Sequence, residues 1–299
     1  MNVLLTGSNG FLGKTIVEIL QKEHQVSTLA RSSGQYQLSL DKQVPDFKEI
    51  YNLIIHSAGK AHSVPKTEEE IIQFFNVNVT GTLNLLQALE NTAIPEQFVF
   101  ISSVSVYGRE TGKNIDENYS LDAKDPYGLS KIEAEKIVIN WCKRHNVICT
   151  ILRLPLLVGK NPPGNLGAMI RAIKRGYYFN IGKGEARKSM VLCNDVALFI
   201  PIVSKVGGIY NLTDGYHPSF KDLSSVISKQ KNKKLPFNLP LLVARLLGYV
   251  GDFLGNKAPI NSSKIKKITC DLTFDDSKAR KLLNWNPEPV LQYLEKNII

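Results

Sequence analysis

The amino-terminal stretch Asn2-Val3-Leu4-Leu5-Thr6-Gly7-Ser8-Asn9-Gly10-Phe11-Leu12-Gly13 decides the fold. Residues 2–6 form a short apolar, partly β-branched run that stops at glycine, and Phe11 to Leu20 then repeats apolar residues at helical spacing. The order is strand, glycine turn, helix. Glycines at 7, 10 and 13 let the backbone come close to a pyrophosphate, while the helix N-terminus offers unpaired N–H groups and a positive dipole end. A glycine-rich turn alone is ordinary punctuation; the strand before it and the helix after it are what point to a dinucleotide.

The alternation continues downstream. Gln25–Ala30 reads as a second strand, ending at Arg31-Ser32-Ser33 without an acid. An acid there would take the ribose hydroxyls of NAD, whereas Arg31 can pair with the 2′-phosphate of NADP, so NADP is favoured over NAD; the plain alternative is a solvent-facing loop arginine. Leu53–Gly59 reads as a buried strand whose small residues Ser57, Ala58 and Gly59 let backbone pass near a cofactor. His56 is read as packed within that strand, because no second histidine or cysteine stands at metal-ligand spacing, and no metal is expected. A helical stretch from Thr67 to Leu89 carries Asn78-Val79-Thr80-Gly81-Thr82, and the strand Gln97–Ile101 leads into Ser102 and Ser103. Strands alternating with helices imply an α/β, doubly wound parallel sheet (Rossmann fold), in which active groups collect at the carboxyl ends of strands.

Tyr127 and Lys131 form the second landmark. Asp125 is a good N-cap and Pro126 a good first helical residue, so a helix starts there and runs through Ile132, Ala134, Ile137 and Val138. Tyr127 then lies in the first turn, and Lys131, four residues on, shares its face. A free tyrosine titrates near ~10, and a neighbouring cation favours the phenolate, which is the tuning that acid–base chemistry needs. Taken alone, such a pair fits any amphipathic helix, and a serine after a strand is usually a cap. Beside a dinucleotide turn, the Ser103 hydroxyl becomes a donor for a sugar or carbonyl oxygen next to Tyr127.

In order along nearly the whole chain, the Gly7 turn, His56-Ser57-Ala58-Gly59, Asn78-Val79-x-Gly81-Thr82, Ser102-Ser103-x-x-Val106-Tyr107-Gly108, Tyr127-x-x-x-Lys131, Leu152-Arg153-x-Pro155-x-x-Val158-Gly159 and Asp275-x-Ser277-Lys278-Ala279-x-x-x-Leu283-x-Trp285-x-Pro287 resemble an extended short-chain dehydrogenase/reductase of the NAD-dependent epimerase/dehydratase family. Members of that family mostly act on nucleotide sugars. The resemblance implies that Ser103, Tyr127 and Lys131 are catalytic. It places Gly7, Asn9, Gly10, Phe11, Leu12, Gly13, Arg31, Ser57, Ala58, Gly59, Asn78, Ser102, Leu154 and Pro155, with Tyr127 and Lys131, around the cofactor. Asn165, Leu166, Arg187 and Lys188, with Ser103, would meet the sugar nucleotide, and cationic side chains beside the glycine-rich Ile181-Gly182-Lys183-Gly184 suit a diphosphate. Leu156 departs from a polar residue common in the 4-epimerases, and Lys188 stands where many relatives have arginine.

This implies a dinucleotide-binding domain over residues 1–160, with a further strand or helix returning from about 190–215, and a mainly substrate-binding lobe over 161–299. The expected activity is NAD(P)-dependent oxidoreduction at C4 of a UDP-hexose, with reduction of a UDP-4-keto-6-deoxy-HexNAc for surface polysaccharide as first reading. A UDP-glucose or UDP-GlcNAc 4-epimerase uses the same three residues. A third reading is a non-catalytic NADP-binding sensor or scaffold, a class that commonly loses the tyrosine or lysine. Homologues are often dimers through the active-site helix, so a homodimer is implied.

The 299 residues carry a formal charge of +10, much of it in Lys229-Gln230-Lys231-Asn232-Lys233-Lys234 and Lys264-x-Lys266-Lys267. No aromatics interleave these runs, which reads as a solvated face and not as a nucleic-acid surface. Leu241–Leu254 is strongly apolar but shorter than the ~20 residues that span a bilayer; a core-packing helix is the first reading and a membrane-skimming helix the second. Met1 leads straight into a strand and the four cysteines, Cys142, Cys149, Cys193 and Cys270, form no close pair, so a reduced, cytoplasmic protein is expected.

Overall fold

The computed structural model describes residues 1–61, 65–254 and 261–297. Seven parallel strands form the central sheet in the order Gly208–Asn211, Ile148–Leu154, Gln97–Ser103, Leu53–His56, Asn2–Thr6, Gln25–Ala30, Tyr36–Gln37. From the first strand the chain winds outward one way through residues 25–37, then returns and winds the other way from residue 53 onward. The reversal lies between Asn2–Thr6 and Leu53–His56, where Thr6 pairs with both Leu29 and His56. In such sheets the crevice at the reversal is where ligands bind.

Both faces of the sheet are covered, which is why its strands read as nearly continuous apolar runs. Val3 and Leu5 point to one face, with Ile55, Val99 and Leu152, against Leu12, Ile16 and Leu20 of the helix Phe11–Leu20 and Val196 and Ile200 of the helix Cys193–Val203. Leu4 alternates to the other face with Ile54, Phe98 and Ile151, against Leu85 and Leu89 of Gly81–Thr92 and Ala134, Val138 and Trp141 of Pro126–His145. A second group of helices, Gly164–Arg175, Phe220–Gln230 and Val290–Lys296, packs around Val158, Met190 and Leu192.

Two elements differ from the sequence expectation. The stretch from Thr67 to Leu89 is two α-helices, Glu68–Phe75 and Gly81–Thr92, joined by a π-helical turn at Asn76–Thr80 that carries the buried Asn78. The strand Gln97–Ser103 holds Ser102 and Ser103 at its end as expected, because Ser103 still pairs with Leu154. The second difference concerns Leu241–Leu254, which is a helix but not a core helix: it buries Ala244, Gly248 and Gly251 and leaves Leu242, Leu246, Leu247, Tyr249 and Phe253 exposed. Close approach explains it. A Cβ at Gly248 would lie 2.6 Å from Ile265 Cδ1 of the helix Ser262–Thr269, so the packed face has room only for small residues.

A buried ion pair ties the sheet to the helix Pro126–His145. Arg153 donates from Nη2 to Glu135 Oε2 at 2.8 Å and from Nε to Oε1 at 3.2 Å, the two side chains being 4% and 2% exposed. Ser102 Oγ donates to the same carboxylate. Arg153 Nη1 donates to the Tyr107 hydroxyl at 3.2 Å, which in turn donates to Asn211 Oδ1 at 2.8 Å. Removing one partner strands a charge in a dry interior, which costs several times more than the net worth of the pair. Arg153→Met alone is therefore expected to destabilise the protein by about 3–5 kcal/mol, and Glu135→Gln with Arg153→Met to recover part of that loss; urea unfolding followed by fluorescence of the buried Trp141 and Trp285 measures both.

Candidate active site

The glycine turn stands at the sheet's reversal point. Gly7 has φ of +72°, and a Cβ on it would fall 2.6 Å from the Ala58 amide nitrogen; a Cβ on Gly13 would fall 2.1 Å from the Gly7 carbonyl oxygen. Only glycine at both positions lets the turn, the first helix and the end of Leu53–His56 approach this closely. Gly10 is the N-cap and supplies no side-chain acceptor, so the first amides of the helix are left for an anion. This cradle fits a dinucleotide pyrophosphate. Asn9 ties the turn to the next loop, its Nδ2 donating to Ser32 Oγ at 3.0 Å and its Oδ1 accepting from Ser33 Oγ at 2.9 Å. Arg31 is exposed beside them, next to a cleft of about 310 Å³ lined by Ser8, Asn9, Lys14, Thr28, Ser33 and Gly34. Phe11 reaches across to Gly159, where a Cβ would lie 3.3 Å from its ring. Leu12 and Leu154 are buried in the core, and Pro155 is half-buried where the strand ends.

Behind the turn runs a chain of hydrogen bonds with a single consistent polarity. Thr6 Oγ1 accepts from the Ala58 amide (3.2 Å) and lies 2.6 Å from His56 Nδ1; His56 Nε2 lies 2.9 Å from Thr82 Oγ1, which donates to the Asn78 carbonyl at 2.7 Å. Thr82 has spent its proton, so it must accept from His56; the imidazole therefore carries its hydrogen on Nε2 and accepts from Thr6 at Nδ1. Burial, with Lys131 adding to it, holds the His56 pKa down at about 3, and the ring is neutral. Asn78 continues the network from its side chain. Its Oδ1 accepts from the Lys60 amide at 2.7 Å, and its Nδ2 donates to Ser130 Oγ at 2.8 Å and the Lys60 carbonyl at 3.1 Å. The π turn thus fixes the loop after Gly59 against the helix that carries Tyr127.

That helix starts as its sequence requires. Asp125 accepts from the Gly128 amide at 3.0 Å and Pro126 occupies the first turn. The Tyr127 side chain is half-buried and faces Ser103, whose Oγ donates to Ser105 Oγ at 3.1 Å and accepts from the Ser105 amide at 3.2 Å. Burial raises the phenol above its ordinary value, the neighbouring Ser103 opposes the rise, and the Asp125 charge adds to it. Lys131 is buried, its Nζ donating to the Ile101 carbonyl at 2.6 Å and lying 4.2 Å from the centre of the Phe100 ring. Burial lowers its ammonium to about 8, with Glu135 working against the shift. The structure therefore departs from the simple picture of a cation beside the phenol. Lys131 is not among the groups that shift the phenol, and the neighbour that lowers it is Ser103.

The remaining sequence candidates divide. Ser57 and Ala58 line the back of the glycine turn, and a Cβ on Gly59 would lie 3.2 Å from Asn78 Oδ1 and 3.9 Å from Lys131 Nζ. Ser102 turns its hydroxyl to Glu135, away from Tyr127. Leu166 packs inside the smaller core, whereas Asn165 is exposed in the first turn of Gly164–Arg175. Arg187 is exposed, with Nη1 donating to the carbonyls of Tyr216 (3.3 Å) and His217 (3.0 Å) and its amide donating to Asp271 Oδ1 (2.8 Å). Lys188 is half-buried, which lowers its ammonium. A cleft of about 470 Å³ lies by the same loop, lined by Asn114, Asp214, Tyr216, His217, Asp276 and Arg280. Its Asp214 carboxylate is occupied by the amides of Tyr216, His217 and Val290. Sequence reading missed Thr6, Lys60, Thr82, Ser130 and Glu135. Only Glu135 left a signal, one turn beyond Lys131 on the same helix.

The glycine geometry makes a direct prediction. Gly13→Ala places a methyl against the rigid Gly7 carbonyl, and relief of such a clash costs about 1–3 kcal/mol, so dinucleotide affinity is expected to fall about 10- to 100-fold while the far-UV circular dichroism stays native; isothermal titration with NADPH reads it.

Comparison with known proteins agrees with this geometry. Residues 3–212 match the NAD dependent epimerase/dehydratase family. The chain is 28% identical to the N-acetyl-alpha-D-glucosaminyl-diphospho-ditrans,octacis-undecaprenol 4-epimerase of Escherichia coli O157:H7, covering 99% of this chain and 94% of that one. It is 26% identical to the GDP-6-deoxy-D-mannose reductase of Pseudomonas aeruginosa over 76% of this chain and 79% of the relative. The fold matches the structure of RMD from Pseudomonas aeruginosa complexed with NADPH at a TM-score of 0.74 and 21% identity, over 98% of this chain and 96% of that one. With the glycine cradle, the strand order and the family match in agreement, the chain belongs to the NAD dependent epimerase/dehydratase family of nicotinamide-dependent enzymes.

Proposed function

We propose that the protein reduces a UDP-4-keto-6-deoxy-HexNAc at C4 with NADPH, in the synthesis of a surface polysaccharide. The observation that carries the reading is the placement of Lys131, on the helix of Tyr127, against the Ile101 carbonyl of the Ser103 strand and beside Gly59, next to the Ala58 on which the glycine turn is seated. A bound nicotinamide supplies the hydride. Tyr127 gives its phenolic proton to the C4 oxygen as that oxygen gains charge, and the Ser103 hydroxyl donates to the same oxygen, so the developing charge meets two preorganised donors. Lys131 spends one of its three N–H donors on Ile101 and has two for the ribose hydroxyls. Asn78, through Ser130, keeps the first turn of the helix in place. Arg31, with Ser32 and Ser33 and no carboxylate on its loop, suits a 2′-phosphate and hence an exchangeable NADP. Asn165, Arg187 and Lys188 are assigned to the UDP, with residues 1–160 as the cofactor domain and 161–299 mainly the substrate lobe.

A 4-epimerase is the second reading, favoured by the similarity of this chain to the Escherichia coli 4-epimerase across 99% of its length. The same residues serve, with the hydride returned to the opposite face of the ring. NADPH consumption in step with UDP-4-keto-6-deoxy-GlcNAc is expected of the reductase. Purification with tightly held NAD, and interconversion of UDP-GlcNAc with its C4 epimer without NADPH use, overturns that choice.

Tyr127→Phe is expected to lower turnover by about 10²- to 10⁴-fold with NADPH affinity near wild type; unchanged turnover removes Tyr127 from its role and returns the sensor reading. The buried lysine gives the pH dependence. Because its pKa is lowered from 10.5 to about 8, the ammonium is charged below that value and discharged above it. The kcat/KM for reduction is therefore expected to fall on the alkaline side with a limb near pH 8, and Lys131→Met to lower the plateau and abolish that limb.

A further inference from the structure

The helix Leu241–Leu254 is amphipathic in the inverted sense. Its protein-facing stripe is Ala244, Gly248 and Gly251, while Leu242, Leu246, Tyr249 and Phe253 are 74%, 66%, 66% and 94% exposed. Those four recur at i, i+4, i+7 and i+11, so they form one line along the helix, widened by Val243, Leu247 and Val250. A contiguous apolar surface of this kind on a monomer marks an interaction site. Leu235 and Phe237, just before the helix, are exposed as well.

Charge selects the occupant. Between Lys229 and Thr269 the sequence has nine lysines and arginines and one acid, Asp252, a local excess of eight out of the chain's formal +10. Asp252 is spent within the protein, its Oδ1 accepting from the Ser262 amide at 3.1 Å. Arg245 is exposed on the helix itself, Lys233 and Lys234 precede it, and Lys266 is exposed on the helix packed against it. A second copy docking through this face would bring two such excesses together and be repelled. An anionic bilayer is complementary in both respects: apolar side chains enter the acyl boundary while the cations meet lipid phosphates. The helix has 14 residues, about 21 Å, too short for the ~30 Å hydrocarbon core. Among the described residues no helix is long and apolar enough to cross a membrane.

We propose that Leu241–Leu254 is an interfacial helix that docks the protein flat on an anionic membrane surface, with the basic residues around it holding the lipid headgroups. No residue of this surface is among those assigned to the cofactor, the C4 oxygen or the UDP, and the proposal does not depend on which nucleotide sugar the enzyme uses.

Co-sedimentation of the full chain with vesicles tests it. Wild type is expected to pellet with vesicles of equal parts phosphatidylcholine and phosphatidylglycerol, to pellet about 10-fold less with phosphatidylcholine alone, and to be released by high salt. Leu246→Glu with Phe253→Glu is expected to abolish pelleting, and Lys233→Glu with Lys234→Glu to weaken it, while NADPH binding and circular dichroism stay at wild-type levels. Wild type remaining in the supernatant with both vesicle types overturns the proposal. So does a dimer that dissociates in the Leu246→Glu, Phe253→Glu variant without vesicle binding, which assigns the face to a second copy. Loss of activity on soluble substrate in otherwise native protein speaks to the catalytic reading alone, because neither variant touches that site.

Discussion

The buried pair of Glu135 and Arg153 is the interaction on which the rest of the site depends. It links Ile148–Leu154 to the helix Pro126–His145, and through Ser102 and Tyr107 it reaches Gln97–Ser103 and Asn211. Two ions in a dry interior are costly unless their hydrogen-bonding groups are matched, and here the guanidinium donates four hydrogen bonds and the carboxylate accepts three. The geometry at the surface follows from that anchor. With the helix fixed on the sheet, Lys131 meets the Ile101 carbonyl and Tyr127 meets Ser103, two residues further along the same strand.

The site is built on rigid elements on both sides of the crevice. On one side, the glycine turn is seated against Ala58 by contacts that exclude any Cβ. On the other, the π turn places Asn78 between Lys60 and Ser130. The His56 chain joins the two, running from the Ala58 amide to the Asn78 carbonyl through two threonine hydroxyls. Each donor in it has one acceptor, so the imidazole is locked in one tautomer and stays neutral. A histidine that in isolation suggests acid–base chemistry is here a structural connector, and the proton chemistry is left to the phenol.

The electrostatic arrangement shows what burial does to a familiar pair. Lysine and tyrosine one helical turn apart suggest that the cation tunes the phenol, but enclosure penalises both charged forms. The ammonium is brought down toward the working range and the phenol pushed up, so that the neighbouring Ser103 hydroxyl is the favourable partner of the phenolate.

By itself the sequence determined the doubly wound order, the glycine cradle and the start of the helix at Asp125, because each is dictated by local chemistry: apolar periodicity, glycine where a Cβ cannot fit, and a carboxylate that caps amides three residues on. Ser103 and Tyr127 were legible for the same reason, each being placed at an element's end. What only the tertiary structure decided depends on partners distant in the chain. Ser102 faces Glu135 and not the crevice, the stretch around Asn78 opens into a π turn, and Thr6, Lys60, Thr82 and Ser130 become parts of one network. The helix Leu241–Leu254 makes the point most clearly: its apolar periodicity fixed that it is a helix, but the fit of Gly248 against Ile265 decided that its small residues go inward and Leu242, Leu246 and Leu247 outward.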